Sequence, residues 1–89
     1  MTQEYEELEV TEFETKFTTD KSLLISIGGI ISGSSLLNAK ISTLGGQTEQ
    51  RIFSVGDYVK YDAGDLGIFE VRLFALRNNV AKFLVSRIK

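Results

Sequence analysis

The stretch Ile68-Phe-Glu-Val-Arg-Leu-Phe-Ala-Leu-Arg-Asn-Asn-Val-Ala-Lys-Phe-Leu-Val-Ser-Arg-Ile-Lys89 decides the fold class. It contains two runs rich in β-branched and aromatic residues, which are the residue types that favour strands. Asn78 and Asn79 stand between the runs, and asparagine tolerates the positive φ angles that tight hairpin turns require. The sequence therefore predicts a C-terminal β-hairpin with a two-residue turn.

This two-residue turn fixes a pairing register, because side chains alternate between the two faces of a sheet at every residue. In this register Leu73 faces Leu84 within a set of pairs that is nearly all apolar, and we assign that face to the core. Phe74 faces Phe83 on the other face. The four residues on that second face nearest the turn are also apolar, and we name them the hairpin patch: Phe74, Leu76, Ala81 and Phe83.

The hairpin patch is too apolar for a solvated surface. Contiguous exposed apolar patches usually mark interaction sites. Either loops of the same chain cover the patch, or a second subunit does. The sequence thus predicts a non-enzymatic interaction module that self-associates through an apolar β surface, with the hairpin patch as its interface.

The rest of the chain carries similar strand signals. Residues 1–7 are acidic and aperiodic, so we predict a flexible arm there and a single β domain over residues 8–89. The alternation of apolar residues slips between Val10 and Phe13, which indicates a bulge or a strand break. Short strand-like runs recur about every 8–12 residues between turn signals. We predict an all-β fold, a small antiparallel β-sandwich or partly open barrel with about seven short strands ending in the hairpin.

The composition narrows the possible chemistry. The 89 residues include no His, Cys, Trp or Pro. The Ser–His and Cys–His pairs of nucleophilic enzymes are therefore impossible within one chain, and a conventional zinc site has no ligand set. We predict no enzymatic activity, no metal and no cofactor. Carboxylate-only catalysis at the loops of residues 57–65 is the enzymatic alternative.

Three aspartates and three glycines cluster in the loops around residue 60: Gly56, Asp57, Asp62, Gly64, Asp65 and Gly67. Carboxylates on bent loops can ligate Ca²⁺. Their spacing does not match the EF-hand loop, and Asp and Gly are also the standard turn residues. The turn interpretation is favoured, and the question of a bound cation stays open.

Arginine and tyrosine side chains suggest an alternative function. Arginine binds phosphate groups with two parallel hydrogen bonds, and tyrosine can stack on a nucleobase. A small anionic, nucleotide-like ligand or a single-stranded nucleic acid would use Arg51, Tyr58, Tyr61, Arg72, Arg77 and Arg87. Nucleic acid is the less favoured partner, because the formal net charge of −2 lacks the basic excess typical of such binders.

Two features bear on location. The N-terminus is acidic, where a secretory signal would be basic. The most apolar stretch, Leu23–Leu37, has fifteen residues with three Gly and four Ser, whereas a spanning helix needs about 20 mainly apolar residues. The sequence predicts a cytoplasmic protein without membrane contact.

Overall fold

Two four-stranded antiparallel sheets pack on each other in the computed structural model of the protein, which describes residues 5–19, 23–30, 33, 36–43, 46, 48–77 and 79–88. In spatial order, sheet I contains β1 (Tyr5–Thr11), β8 (Val80–Arg87), β7 (Ile68–Arg77) and β6 (Tyr58–Asp62). Sheet II contains β2 (Thr15–Phe17), β3 (Leu23–Ile27), β4 (Leu36–Thr43) and β5 (Thr48–Ser54). A short 3-10 turn, Gly64–Leu66, precedes β7. The predicted all-β antiparallel fold is confirmed.

The described residues form eight strands rather than about seven, because the first strand-like run divides in two. β1 ends at Thr11 in sheet I, and β2 begins at Thr15 in sheet II. Phe13 lies between them with a φ of 60°, a left-handed conformation that is unusual for a residue with a bulky side chain. The predicted break between Val10 and Phe13 is therefore present, and it carries the chain from one sheet to the other.

One apolar core joins the two sheets. Alternate residues of the strands point inward, so that each sheet contributes a row of buried aliphatic and aromatic side chains. At its centre the rings of Phe53 from sheet II and Phe83 from sheet I lie 5.8 Å apart with an interplanar angle of 86°. This edge-to-face arrangement is one that aromatic pairs prefer, and it fixes the two sheets on each other.

The β7–β8 hairpin departs from the predicted register at Phe74. Near the turn the pairs are as predicted: Arg77–Val80, Leu76–Ala81 and Ala75–Lys82. A β-bulge between Leu73 and Ala75 then leaves Phe74 out of the pairing, and Leu73 pairs with Phe83. The predicted pairing of Phe74 with Phe83 is wrong. Of the two turn residues, Asn78 lies outside the described part of the chain.

The bulge follows from the apolar pattern of the two strands. Both carry their core residues at odd positions: Phe69, Val71, Leu73, Ala81, Phe83 and Val85. A straight hairpin around a two-residue turn pairs odd positions with even ones, so one of the two apolar rows would face away from the core. One extra residue in β7 shifts the pairing by one position and turns both rows inward. The assignment of Leu73 to the core is correct, whereas that of Phe83 to the opposite face is wrong.

The same bulge anchors the corner where the chain passes from sheet II to sheet I. The backbone N–H of Leu73 donates to the carbonyl of Asp57 at 3.1 Å, and its carbonyl accepts from the N–H of Gly56 at 2.7 Å. Gly56 has a φ of 100°, which disfavours any residue with a side chain. The β5–β6 corner is thereby tied directly to the middle of sheet I.

Part of the predicted flexible arm over residues 1–7 is a strand in the structure. Tyr5, Glu6 and Glu7 belong to β1 and pair with residues 84–86 of β8, whereas residues 1–4 lie outside the described residues. The carboxylate of Glu6 accepts hydrogen bonds from the backbone N–H of Thr19 at 2.9 and 3.0 Å and from its hydroxyl at 2.7 Å. An acidic residue that looked like part of a solvated tail thus links β1 to the segment after β2.

We expect Glu6→Ala to lower the free energy of unfolding by about 1–2 kcal/mol, because it removes hydrogen bonds to a charged acceptor at a partly exposed site. Glu7→Ala is the matched control. It removes the same charge from an exposed neighbouring position and should change stability by less than about 0.5 kcal/mol. Urea denaturation of both variants checks the difference, and equal effects would show that the contact with Thr19 does not stabilise the fold.

Among the described residues, no helix is long and apolar enough to cross a bilayer. The apolar stretch Leu23–Leu37 instead supplies β3 and the beginning of β4.

Candidate functional site

The hairpin patch does not form one exposed surface. Ala81 and Phe83 are fully buried in the core between the sheets, and Leu76 is partly buried against that core. Phe74, the bulged residue, is 38% exposed. The register shift at the bulge is the physical reason, since it moves the β8 residues of the patch to the inner face. Of the four residues of the predicted apolar interface, only Phe74 is therefore exposed.

The six predicted ligand-binding residues do not converge on one site. Arg72 lies 4.9 Å from the centre of the Tyr58 ring, on the neighbouring strand, and 3.8 Å from the carboxylate of Glu70. Arg77 lies at the turn end of β7, and Arg87 lies at the far end of β8. Only the remaining two, Arg51 and Tyr61, meet through a shared partner, which is Glu49.

Glu49 connects the edge strands of the two sheets. Its Oε1 accepts a hydrogen bond from Nε of Arg51 at 2.8 Å and another from the hydroxyl of Tyr61 at 3.1 Å. The hydrogen bond from Arg51 is the main cause that lowers the pKa of Glu49, and the hydrogen bond from Tyr61 is the second. The hydrogen bond between Arg51 and Glu49 also raises the pKa of Arg51. Burial, and then the bond to Glu49, raises the pKa of Tyr61 to about 12. At neutral pH the cluster is an ion pair with a neutral phenol.

A pocket of about 380 Å³ opens beside this cluster, lined by Ile41, Thr43, Thr48, Glu49 and Tyr61. Within the described part of the chain, Oγ1 of Thr43 is buried and has no hydrogen-bond partner. A buried hydroxyl without a partner is costly. The pocket has polar walls and enough room for a water molecule that would satisfy this group.

β5 is the edge strand that carries Glu49 and Arg51. It pairs with β4 on one side only. The ladder runs from the pair of Leu36 with Ser54 to the pair of Ser42 with Thr48, without a register shift. Residues 48–52 are all exposed, and Ile52 is 65% exposed. An edge strand presents unpaired backbone groups that can pair with another chain. β5 therefore offers a seven-residue edge with neither a proline nor a bulge to block pairing.

The turn after β5 shows which backbone groups point outward. The N–H of Ser54 donates to the carboxylate of Asp57 at 2.9 Å, and its carbonyl accepts from the N–H of Asp57 at 2.9 Å. Neither group of Ser54 is thus directed at β4. Since this orientation alternates along an antiparallel strand, the N–H and carbonyl groups of Thr48, Gln50 and Ile52 also point away from β4.

The other edge strands are less suited to pairing. β2 has three residues and β6 has five. β1 is as long as β5, but it carries Glu6, Glu7 and Glu9, so a second acidic edge would be repelled. β5 instead carries one acidic and one basic side chain, Glu49 and Arg51. Charge and length together distinguish β5 as the open edge of the molecule.

The aspartates near residue 60 lie in or beside turns, and two of them accept backbone hydrogen bonds there. Asp57 accepts the N–H of Ser54, and Oδ1 of Asp62 accepts the N–H of Gly64 at 2.9 Å. Asp65 lies in the 3-10 turn. Within the described ranges, no group of three or more His, Cys, Asp or Glu side chains is placed to hold a metal ion. Asp57 and Asp62 thus each accept a backbone hydrogen bond beside a turn.

A second pocket, of about 250 Å³, is lined by residues of β1, β7 and β8 and of the segment that follows β2. Phe69 and Val85 form its apolar part, and Arg87 and Tyr5 lie at its polar part together with Glu6, Thr18 and Thr19. Both carboxylate oxygens of Glu6 are engaged by Thr19. No carboxylate of the described residues forms an ion pair with Arg87.

Sequence reasoning named Arg51 and Tyr61 but missed Glu49 and the β5 edge. The alternation Glu49-Gln50-Arg51, with both charges on one face, was the available signal. Recognising it as an edge required the strand order, which the sequence did not provide. Comparisons of the chain with protein-family models, with curated proteins and with solved structures find no match.

Proposed function

We propose that this chain is a non-enzymatic interaction module that self-associates, and that the surface it uses is the open edge of β5. The observation that carries the proposal is the pair of hydrogen bonds that turns the backbone of Ser54 away from β4. By the alternation of an antiparallel strand, outward-pointing groups at Thr48, Gln50 and Ile52 follow from it. A second copy of β5 would satisfy these groups and extend sheet II across both subunits. Strand addition of this kind is a common mode of protein recognition, and its affinity comes from backbone hydrogen bonds.

The hairpin patch cannot supply the interface, since two of its four residues are in the core. The edge offers a different source of stability. Exposed Ile52 and the ordered side chains of Glu49 and Arg51 would gain cross-strand neighbours on pairing. Closed two-fold dimers are the commonest homo-oligomers, and an antiparallel strand pair is compatible with that symmetry.

Sedimentation of the wild-type protein at micromolar concentration tests the proposal, and we expect a dimer that dissociates on dilution. Gln50→Pro should sediment as a folded monomer, because proline removes an outward N–H that β4 does not use. Gln50→Thr is the matched control, since it changes the side chain, keeps the N–H and should remain dimeric. A wild-type protein that is monomeric throughout this range would refute the proposal.

The binding of a small organic anion is the second candidate function. It is favoured by Arg87, which stands beside the apolar walls of the second pocket without an ion pair to the described residues. A ligand with an apolar body and one carboxylate or phosphate would match that lining. Native mass spectrometry of the same samples distinguishes the two candidates, because it reports both the number of subunits and any mass retained beyond that of the chain.

A further inference from the structure

The backbone of β5 restricts how two copies can pair. In an antiparallel pair, residues whose N–H and carbonyl groups point outward must face residues of the same kind. The even-numbered residues of one copy, which include Thr48, Gln50 and Ile52, must therefore face even-numbered residues of the other. Near the middle of the exposed strand, two-fold symmetric pairing then has three possible centres, which are Glu49, Gln50 and Arg51.

Side-chain charge selects one of these registers. Pairing centred on Glu49 or on Arg51 would place that residue opposite its own copy, and like charges directly opposite each other are destabilising. Pairing centred on Gln50 places Glu49 opposite Arg51 of the second copy, and it does so twice. We propose, on the basis of the self-association proposed above, that two copies pair antiparallel about a two-fold axis at Gln50.

The side chains of Glu49 and Arg51 are already held in place within one copy. Arg51 and Glu49 already form an ion pair within the strand at 2.8 Å, and each side chain remains 45% exposed. The hydroxyl of Tyr61 holds the carboxylate from the other sheet. Side chains ordered before association lose less freedom on binding. In the dimer, Glu49 and Arg51 of the two copies would form a closed group of four alternating charges.

The remaining positions of the strand also fit this register. Ile52 faces Thr48 of the second copy, which is a pairing of two β-branched residues, the kind that packs well across strands. The pairs at Gln50 and at Thr48–Ile52 carry the hydrogen bonds, roughly six in total. The Glu49–Arg51 pairs lie between them, at the positions where facing Cα atoms approach to about 4.5 Å.

Charge reversal tests the register. Arg51→Glu alone places Glu opposite Glu, and Glu49→Arg alone places Arg opposite Arg. Each single variant should therefore dimerise about 10- to 100-fold more weakly than the wild type. A one-to-one mixture of the two variants restores complementary charges and should give a heterodimer close to wild-type affinity. The double variant E49R/R51E should form a homodimer again. A mixture that stays as weak as its components would overturn the register.

Disulfide formation gives an independent measurement, because the chain contains no cysteine of its own. In the proposed register, Gln50→Cys faces its own copy at a Cα separation of about 5.5 Å, within the range that a disulfide spans. Glu49→Cys would lie diagonally from its copy, beyond that range. Mild oxidation should cross-link the first variant and leave the second uncross-linked. Cross-linking of Glu49→Cys instead would overturn the register while the wild-type dimer stands. A monomeric wild type would overturn the self-association itself.

Discussion

Phe83→Ser is expected to unfold the domain or to lower its free energy of unfolding by about 4 kcal/mol or more. Phe83 is fully buried and meets Phe53 edge to face at the centre of the core. Removing a buried phenylalanine typically costs about 3–5 kcal/mol, and the serine hydroxyl adds the cost of burying a polar group. A chain of this length has modest total stability, so the loss is large relative to the whole.

Phe74→Ser provides the control, since it makes the same chemical change on the same hairpin. Phe74 is the bulged residue and is 38% exposed, so we expect a change of about 1 kcal/mol or less. Urea denaturation followed by circular dichroism, at one fixed protein concentration, measures both variants. Similar losses for the two would mean that the hairpin pairs without the bulge, with both rings on one face.

Some features of the β7–β8 hairpin can be predicted from the sequence, and its register cannot be predicted from the turn alone. The residue types and Asn78-Asn79 were sufficient to predict two paired strands, and Leu73 was correctly placed in the core. The turn and the apolar pattern, however, demanded different registers. The predicted register follows from the turn alone. In both strands, however, the apolar rows lie at odd-numbered positions. Both rows can face the core around a two-residue turn only if one strand contains an extra residue, and this condition predicts the bulge.

The candidate site was less accessible to sequence reasoning for a different reason. Arg51 and Tyr61 were chosen for their chemistry, but their shared contact with Glu49 joins strands of two sheets. Such a contact depends on which strands lie at the edges, and that order is set by the packing of the whole core. The contact of Glu6 with Thr19 is equally hard to predict, since it depends on the crossing of the chain from β1 to β2.

Arg51→Pro is expected to lower the free energy of unfolding by about 3 kcal/mol, although the Arg51 side chain is exposed. Arg51 pairs with Ala39 of β4. Since the outward groups belong to the even-numbered residues, the N–H of Arg51 points toward β4 and donates within the ladder. Proline removes that donor and leaves an acceptor on Ala39, which is buried, without its bond.

Gln50→Pro makes the same change one residue earlier and should cost about 1 kcal/mol or less in stability, because its N–H points away from β4. The two variants therefore separate folding from assembly: Gln50→Pro should abolish dimerisation and keep the fold, whereas Arg51→Pro should weaken the fold itself. Thermal denaturation at a concentration where the wild type is monomeric measures the folding effect alone. A larger loss for Gln50→Pro would mean that the backbone of β5 alternates in the opposite sense, and the outward-pointing groups would then belong to Glu49 and Arg51 rather than to Thr48, Gln50 and Ile52.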